Sequence, residues 1–108
     1  MISTDKAFDM LPHVVDVYEK LDLYKYYEKK KAEYKKNPVT QLKAGEELFK
    51  YVLKNAAKVK SEIISIVALM QELPEGEVAK QNFAKTIIEI KNLFTDKETM
   101  DFFKQAMQ

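Results

Sequence analysis

The side chains that could do chemistry are few, and the single histidine is the first to consider. His13 follows Asp9 by four residues and precedes Asp16 by three, so the three side chains fall on one side of a helix. Such a set could offer metal ligands or a general base. A metal site would need further ligands, however, and Pro12 disturbs the helix that would align these three. We therefore interpret His13 as an ordinary surface or boundary residue.

The carboxylates form three clusters, and two of them coincide with a predicted turn or helix start, where acidic side chains complement the helix dipole. No serine lies in a recognisable nucleophile motif, and cysteine is absent. The two glycines are 31 residues apart, which excludes a glycine-rich phosphate loop. The sequence therefore predicts no enzyme, no metal site and no cofactor. The clusters are Glu46 with Glu47, then Glu72, Glu75 and Glu77, then Asp96, Glu98 and Asp101.

One stretch is basic and rich in tyrosine, and it is the best candidate for a charged binding surface. Its tyrosines could pack while its lysines are solvated, or the whole segment could bind an acidic helical protein or stack on nucleic-acid bases. All 18 basic residues of the chain are lysines, and the absence of arginine disfavours specific nucleic-acid recognition. The residues concerned are Tyr24, Tyr27, Lys29, Lys30, Lys31, Tyr34, Lys35 and Lys36.

The terminal segment LFTDKETMDFFKQAMQ combines a helix start with a set of apolar side chains. Thr95 and Glu98 form a capping-box pattern, which predicts a helix that begins at Thr95. Full burial of each large apolar side chain contributes about 1.5–3 kcal/mol, so the helix should not leave all of them in water. It either docks back onto the domain or offers an adaptable contact surface to a subunit or client. The candidate interaction residues are Met100, Phe102, Phe103 and Met107.

Composition bounds the fold. The chain of 108 residues is 46% hydrophobic and has two glycines and three prolines, which favours one domain of helices with short joints over a sheet with many turns. Its net charge of +1 gives no global attraction to nucleic acid or anionic membranes. The longest apolar run, IISIVALM, has eight residues, and the start MISTDKAFDM does not resemble a signal peptide. We expect a protein of the cytoplasm without a membrane span.

Helical periodicity predicts a compact all-α bundle of about five to six helices over residues 1–108. Ser3 or Thr4 caps the first helix, which we expect to end near Met10 because Pro12 follows. The next joints are expected at Asp22 and at residues 37–40. Residues 62–73 are apolar nearly all round, which predicts a buried central helix. A turn at residues 73–78 then separates them from a helix at about 77–94.

Two apolar stripes are predicted to face partners. One runs from Leu42 through Phe49 and Val52 to Val59, and the other joins Phe83 to Ile87, Ile90 and Phe94. Gly45 lies on the first stripe. It either lets another backbone approach closely or is a tolerated glycine that costs about 1 kcal/mol.

Three segments resemble one protein family. TDKAFDMLPHVVDVYEKL, LFKYVLKNAAKVKSEIISIVA and LFTDKETMDFFKQAMQ are similar to the small tail assembly chaperones encoded by long-tailed phages and prophages of low-GC Gram-positive bacteria. The similarity runs nearly end to end and is least informative at residues 28–41. These are whole-segment likenesses, so no individual functional residue is transferred.

The resemblance implies an all-helical chaperone that coats the aggregation-prone tape measure protein in the host cytoplasm until tail tube subunits polymerise around it. It also implies self-association, absence from the mature virion, and a longer form made by ribosomal frameshifting. The alternative is a small helical regulatory or adaptor protein that binds nucleic acid through the Tyr/Lys helix, or one that dimerises through apolar helices.

Overall fold

The computed structural model describes residues 3–98 and residue 101, and helices are the only regular elements in that part of the chain. This confirms the predicted all-α bundle of five to six helices. The elements are α1 (Thr4–Lys20), α2 (Leu23–Lys36), α3 (Gln41–Lys54), a 3-10 turn (Ala56–Val59), α4 (Lys60–Gln71), α5 (Glu75–Lys80) and α6 (Phe83–Thr95). None of these helices combines the length and the apolarity needed to cross a bilayer.

Two predicted helix starts are confirmed by their caps. The Ser3 hydroxyl accepts a hydrogen bond from the Lys6 backbone N–H (3.2 Å), and the Thr40 hydroxyl accepts one from the Lys43 N–H (3.1 Å). Each bond pairs a backbone donor that the first turn of a helix leaves free. Asp22 stands before α2 as predicted, but in the left-handed region (φ 50°) and without a side-chain cap bond. Short-range signals therefore set where α1 and α3 begin.

The predicted break at Pro12 is wrong, because α1 continues through it. A proline inside a helix removes one hydrogen bond and crowds the carbonyl four residues earlier, here that of Phe8. Pro12 and Phe8 are both exposed, so the freed carbonyl faces water. The opposite side of α1 buries Met10 and Val17 along α4. That burial outweighs the local cost of the proline.

Helix α4 lies at the centre of the bundle, as its nearly uniform apolarity predicted. It packs against α1, α5 and α6, and Val67 has no exposed surface. Ile63 on α4 and Phe94 on α6 each pack against both buried clusters of the molecule and so join them. The larger cluster lies between α1, α3 and α4, and the smaller one between α4, α5 and α6.

Two helices are shorter than their apolar patterns predicted. The helix expected at 77–94 is divided at Gln81 and Asn82, and the Asn82 side chain accepts a hydrogen bond from the Ala84 N–H (2.8 Å) to begin α6. Likewise α3 ends at Lys54, where the Asn55 amide donates to the Tyr51 carbonyl (2.9 Å). Asparagine competes for backbone groups in this way, and the competition ends or restarts a helix without interrupting the apolar spacing.

Helices α3 and α6 approach most closely at Gly45. A Cβ built on Gly45 would overlap the backbone carbonyl oxygen of Phe94. Of the two interpretations of this glycine, close approach of another backbone is the one the structure confirms. The absence of a side chain at Gly45 lets the end of α6 lie against the first half of α3.

Candidate interaction surfaces

The terminal interaction residues Met100, Phe102, Phe103 and Met107 lie outside the described residues. The segment that leads to them is described in part. Thr95 is not the helix cap that its sequence context predicted, because it is the last residue of α6 and its hydroxyl donates to the Lys91 carbonyl (2.9 Å). The break falls at Asp96 instead. Further on, the Asp101 carboxylate accepts a hydrogen bond from the Gln41 amide (2.7 Å), which places residue 101 beside the start of α3.

The Tyr/Lys segment forms α2, which touches the rest of the molecule along one side only. Leu23 is its single buried residue. The Tyr26 ring lies against the Tyr51 ring of α3, with 4.6 Å between centroids, and the Lys30 ammonium donates to Glu47 of α3 (2.8 Å). These two contacts pair α2 with α3 in antiparallel order. Tyr26 was not among the predicted residues, although it lies four residues before Lys30 on the same side.

Lys30 differs from the other lysines of α2. Its ammonium lies between Glu47 and Glu33 (3.3 Å), and the hydrogen bond to Glu47 raises the pKa of Lys30 and lowers that of Glu47. The remaining basic residues of the predicted surface are exposed. They are Lys29, Lys31, Lys35 and Lys36. The solvated-lysine interpretation therefore fits four of the five, whereas Lys30 fastens α2 to α3.

The tyrosines also divide between packing and exposure. Tyr27 stacks on Tyr18 of α1 with 6.2 Å between ring centroids, and Tyr34 is half-buried near Lys30. Burial raises the pKa of Tyr26 and of Tyr27 to about 12, so both hydroxyls stay protonated at neutral pH. Tyr24, by contrast, is 61% exposed. It is the ring of this segment most available to a partner.

An exposed apolar strip runs along α1 and onto α2, and we call it the α1–α2 face. On α1, Phe8 and Val15 are exposed, and the half-buried Leu11 and Tyr18 lie between them and the larger buried cluster, against which they pack. Tyr27 continues the strip through its contact with Tyr18, and Tyr24 extends it. Phe8 is 66% exposed. The sequence contains this second stripe, but its apolar spacing overlaps that of the buried side, so spacing alone does not separate the two.

Two residues of the predicted stripes on other helices are exposed rather than packed. Leu42 at the start of α3 is 55% exposed and Phe83 at the start of α6 is 72% exposed. Each is the first member of its stripe and lies in the first turn of its helix. Ile88 on α6, outside the predicted stripe, is also exposed. Large apolar side chains thus meet solvent on α1, α2, α3 and α6.

His13 is half-buried at an open cleft of about 760 Å³ between the first half of α1 and the joint of α4 and α5. Lys6 pairs with Glu72 across this cleft (3.3 Å), and the Ser65 hydroxyl donates to Glu75. No group of three or more potential ligands among the described residues is arranged to hold a metal ion. The cleft is built from paired polar groups that join α1 to α4 and α5.

The ion pair between Lys20 and Glu62 ties the end of α1 to α4 (2.6 Å). Glu62 is buried, and the hydrogen bond from Lys20 lowers the pKa of Glu62 below 4.5 and raises that of Lys20 above 10.5. The carboxylate therefore contributes stability that is present above pH 4.5 and is lost as pH falls through its lowered pKa. The lysine contribution is lost as pH rises through its raised pKa.

We expect Glu62→Gln to lower stability at neutral pH and to flatten the acid side of the stability profile. The difference in urea midpoint between the natural chain and Glu62→Gln should shrink as pH falls below 4.5, because protonation of Glu62 then removes from the natural chain the charge that the variant lacks. Exposed Glu19, next to Lys20, provides the control: Glu19→Gln should leave the profile nearly unchanged. A difference that persists undiminished at low pH would contradict this role for Glu62.

The described residues thus offer exposed apolar side chains and separate charged patches, which suit protein binding. Among the described residues, three ion pairs join separate helical elements: Lys20 with Glu62, Lys30 with Glu47, and Lys6 with Glu72. Comparison of the chain with protein-family models, with curated proteins and with solved structures found no match in any of the three.

Proposed function

We propose that this chain is a tail assembly chaperone, which binds the tape measure protein and keeps it soluble during phage tail morphogenesis. The resemblance of three segments to that family motivates the proposal. The structural observation that supports it is the exposure of large apolar side chains on four helices, as at Phe8 (66%), Tyr24 (61%), Leu42 (55%) and Phe83 (72%). Single exposed apolar residues are ordinary, but a continuous strip on α1 and α2 with further residues on α3 and α6 favours binding.

The proposed mechanism is the transient covering of apolar helix surface. A tape measure protein is a long helical chain whose apolar stripe aggregates unless it is covered. Apolar side chains exposed on the chaperone pack against that stripe, and each Å² of apolar surface removed from water contributes about 25 cal/mol. Several small contact areas give a complex that forms readily and is displaced when tail tube subunits polymerise. The chaperone acts in the host cytoplasm and does not enter the virion.

Self-association through apolar helix faces is part of the same proposal. Copies that bind one another cover these side chains until a client is present, and they bring many contact areas together on one client chain. A longer frameshifted form of the chain and the tail tube protein are the further partners that the proposal includes.

Co-expression with the cognate tape measure protein tests the proposal. The chain should raise the soluble fraction of that client several-fold and copurify with it. The variant Phe8→Ser/Leu42→Ser/Phe83→Ser should lose most of this effect, because it removes a highly exposed apolar side chain from each of three helices. The matched control Lys29→Ser/Lys58→Ser/Lys85→Ser changes three exposed polar positions and should retain it. A client that stays insoluble and does not copurify with the natural chain would overturn the proposal.

The alternative, nucleic-acid binding through α2, is tested with the same protein. Five exposed lysines and Tyr24 on α2 are the observation in its favour, and the engagement of Lys30 by two glutamates weakens it. Binding of this kind would weaken steeply with added salt. It would also be abolished by exchanging Lys29, Lys31, Lys35 and Lys36 for glutamate. Such a result would favour the alternative over the chaperone.

A further inference from the structure

The surface charge is divided between two adjacent helices. Residues 4–20 of α1 carry four carboxylates and two lysines, a net charge of −2, whereas residues 23–36 of α2 carry six lysines and two glutamates, a net charge of +4. The chain as a whole has a net charge of +1, so the contrast is local. On α1 the exposed acids are Asp5, Asp9, Asp16 and Glu19, beside one exposed lysine, Lys20. On α2 the exposed lysines are Lys25, Lys29, Lys31, Lys35 and Lys36, beside two exposed acids, Glu28 and Glu33.

These charges flank the apolar strip of the α1–α2 face. At 100° per residue, the four acids of α1 project on the solvent side of the line through Phe8 and Val15, opposite the buried side that carries Met10. On α2, Lys31 follows Tyr27 by four residues and Lys35 follows Lys31 by four, so both lie beside the exposed rings. The face therefore consists of an apolar strip with an acidic half on α1 and a basic half on α2.

We propose that two copies of this chain associate through the α1–α2 face, with the acidic α1 of each copy against the basic α2 of the other. This inference rests on the self-association included in the proposed function, and it specifies the surface and the geometry. A two-fold axis makes every contact twice. When the axis runs along the boundary between the two halves, rotation by 180° brings acid onto base on both sides. An axis at right angles to that boundary would bring like charges together.

Charge and apolar area have separate tasks in this pairing. The exposed carboxylates and lysines at the rim steer the approach and select the orientation, while desolvated aromatic residues supply most of the affinity. Phe8 and Tyr24 are the most exposed rings of the face and serve as the anchors. Helices of 17 and 14 residues are about 25 Å and 21 Å long and about 10 Å wide, a projected face of roughly 500 Å². That is smaller than a standard interface, which buries about 800 Å² of accessible surface per partner, so we expect a weak and reversible pairing.

A second copy is the occupant that the charges favour. A partner for this face needs an apolar strip with a basic side to meet α1 and an acidic side to meet α2. The chain itself carries that combination, whereas a helix with charges of one sign would oppose half of the face. Because each half of the face meets the opposite charge in the other copy, reversing the charge of one half at a time tests the pairing.

Charge exchange provides the test. The variant Asp16→Lys/Glu19→Lys changes the net charge of α1 from −2 to +2, and the variant Lys29→Glu/Lys31→Glu/Lys35→Glu changes the net charge of α2 from +4 to −2. Each alone should self-associate at least about tenfold more weakly than the natural chain in sedimentation equilibrium, because like charges then face each other at both contacts. An equal mixture of the two variants should recover association to within about threefold, since basic α1 meets acidic α2 at one contact and the natural pair forms at the other.

Controls separate this result from general effects of charge. Lys54→Glu/Lys58→Glu changes two exposed lysines outside the face and should leave association unchanged. All substituted side chains are exposed, so circular dichroism should show the natural helix content. The proposal is overturned if the natural chain is monomeric, if the mixed variants associate no better than each alone, or if the control weakens association equally.

Co-expression with the client distinguishes this inference from the proposed function. Suppose that mixing the two variants does not restore association, while each variant still raises the solubility of the client. The paired geometry is then overturned, and the chaperone proposal stands. Recovery in mixture without any effect on client solubility supports the geometry and counts against the chaperone. If the natural chain is monomeric and either charge exchange abolishes client binding, the face binds the client and a second copy is not its occupant.

Discussion

Replacement of Met10 by alanine is expected to lower the free energy of unfolding by about 2–5 kcal/mol. Met10 has no exposed surface and belongs to the larger buried cluster, which also includes Val17, Leu48 and Val59. The substitution removes buried apolar atoms and leaves a cavity that neighbouring helices fill only in part. Because domains of this size are stable by about 5–15 kcal/mol, the loss is a large fraction of the total. Urea denaturation followed by circular dichroism measures it.

Phe8 provides the matched control, two residues earlier on the same helix. Because Phe8 is 66% exposed, Phe8→Ala should change the free energy of unfolding by no more than about 0.5 kcal/mol. We expect Phe8→Ala also to weaken self-association and to lower the soluble fraction of the client. Met10→Ala should affect these two properties only by lowering the fraction of folded protein. Similar stability losses for the two variants would mean that the buried and exposed sides of α1 have been assigned wrongly.

The fold class could be predicted because local signals and tertiary contacts agree over most of the chain. The capping hydroxyls of Ser3 and Thr40 and the break at residues 37–40 depend on neighbouring residues only, so the sequence contains all the information needed to place them. The central position of α4 was also predictable, since a helix that is apolar nearly all round is stable in water only when other helices surround it.

The errors occurred where a long-range contact or a side-chain cap opposed the local pattern. Pro12 predicted a break, but the packing of α1 along α4 keeps the helix intact. Thr95 predicted a helix start, but its hydroxyl bonds back to the Lys91 carbonyl inside α6. Asn82 divides a helix whose apolar spacing continues across it. Tertiary packing decides the outcome at Pro12, and side-chain hydrogen bonds to the backbone decide it at Thr95 and Asn82; periodicity contains neither kind of information.

The candidate surfaces were predictable as segments but not residue by residue. Spacing shows which side chains share one side of a helix, and it does not show how far the neighbouring helix extends. Leu42 and Phe83 continue buried stripes but lie at helix ends that no neighbour covers. In the Tyr/Lys segment, Tyr26 and Lys30 face α3 whereas Tyr24 faces solvent, because α2 contacts the bundle along one side.

Replacement of Gly45 by alanine should destabilise the protein by about 1–3 kcal/mol, although alanine is the better helix residue. At a helix position without a close neighbour, replacement of glycine by alanine raises the free energy of unfolding by up to about 1 kcal/mol. Here the added Cβ meets the carbonyl oxygen of Phe94, a backbone atom that cannot rotate aside. Helix α6 must therefore move away from α3, which disturbs the packing of Phe49 against Phe94 (6.3 Å between ring centroids). Overpacking of this kind costs typically about 1–3 kcal/mol and occasionally more.

Gly76 allows the steric cost to be separated from helix preference. It lies inside α5, has no atom within 4 Å of an added Cβ and does not have a positive φ. Gly76→Ala should therefore raise the free energy of unfolding by about 0.5–1 kcal/mol, the gain that alanine brings to a helix without a clash. The same exchange in the same protein is thus expected to have opposite signs at two positions, as measured by urea midpoints. A gain at both positions would show that α3 and α6 do not approach each other at Gly45, because only that contact makes glycine the more stable residue there.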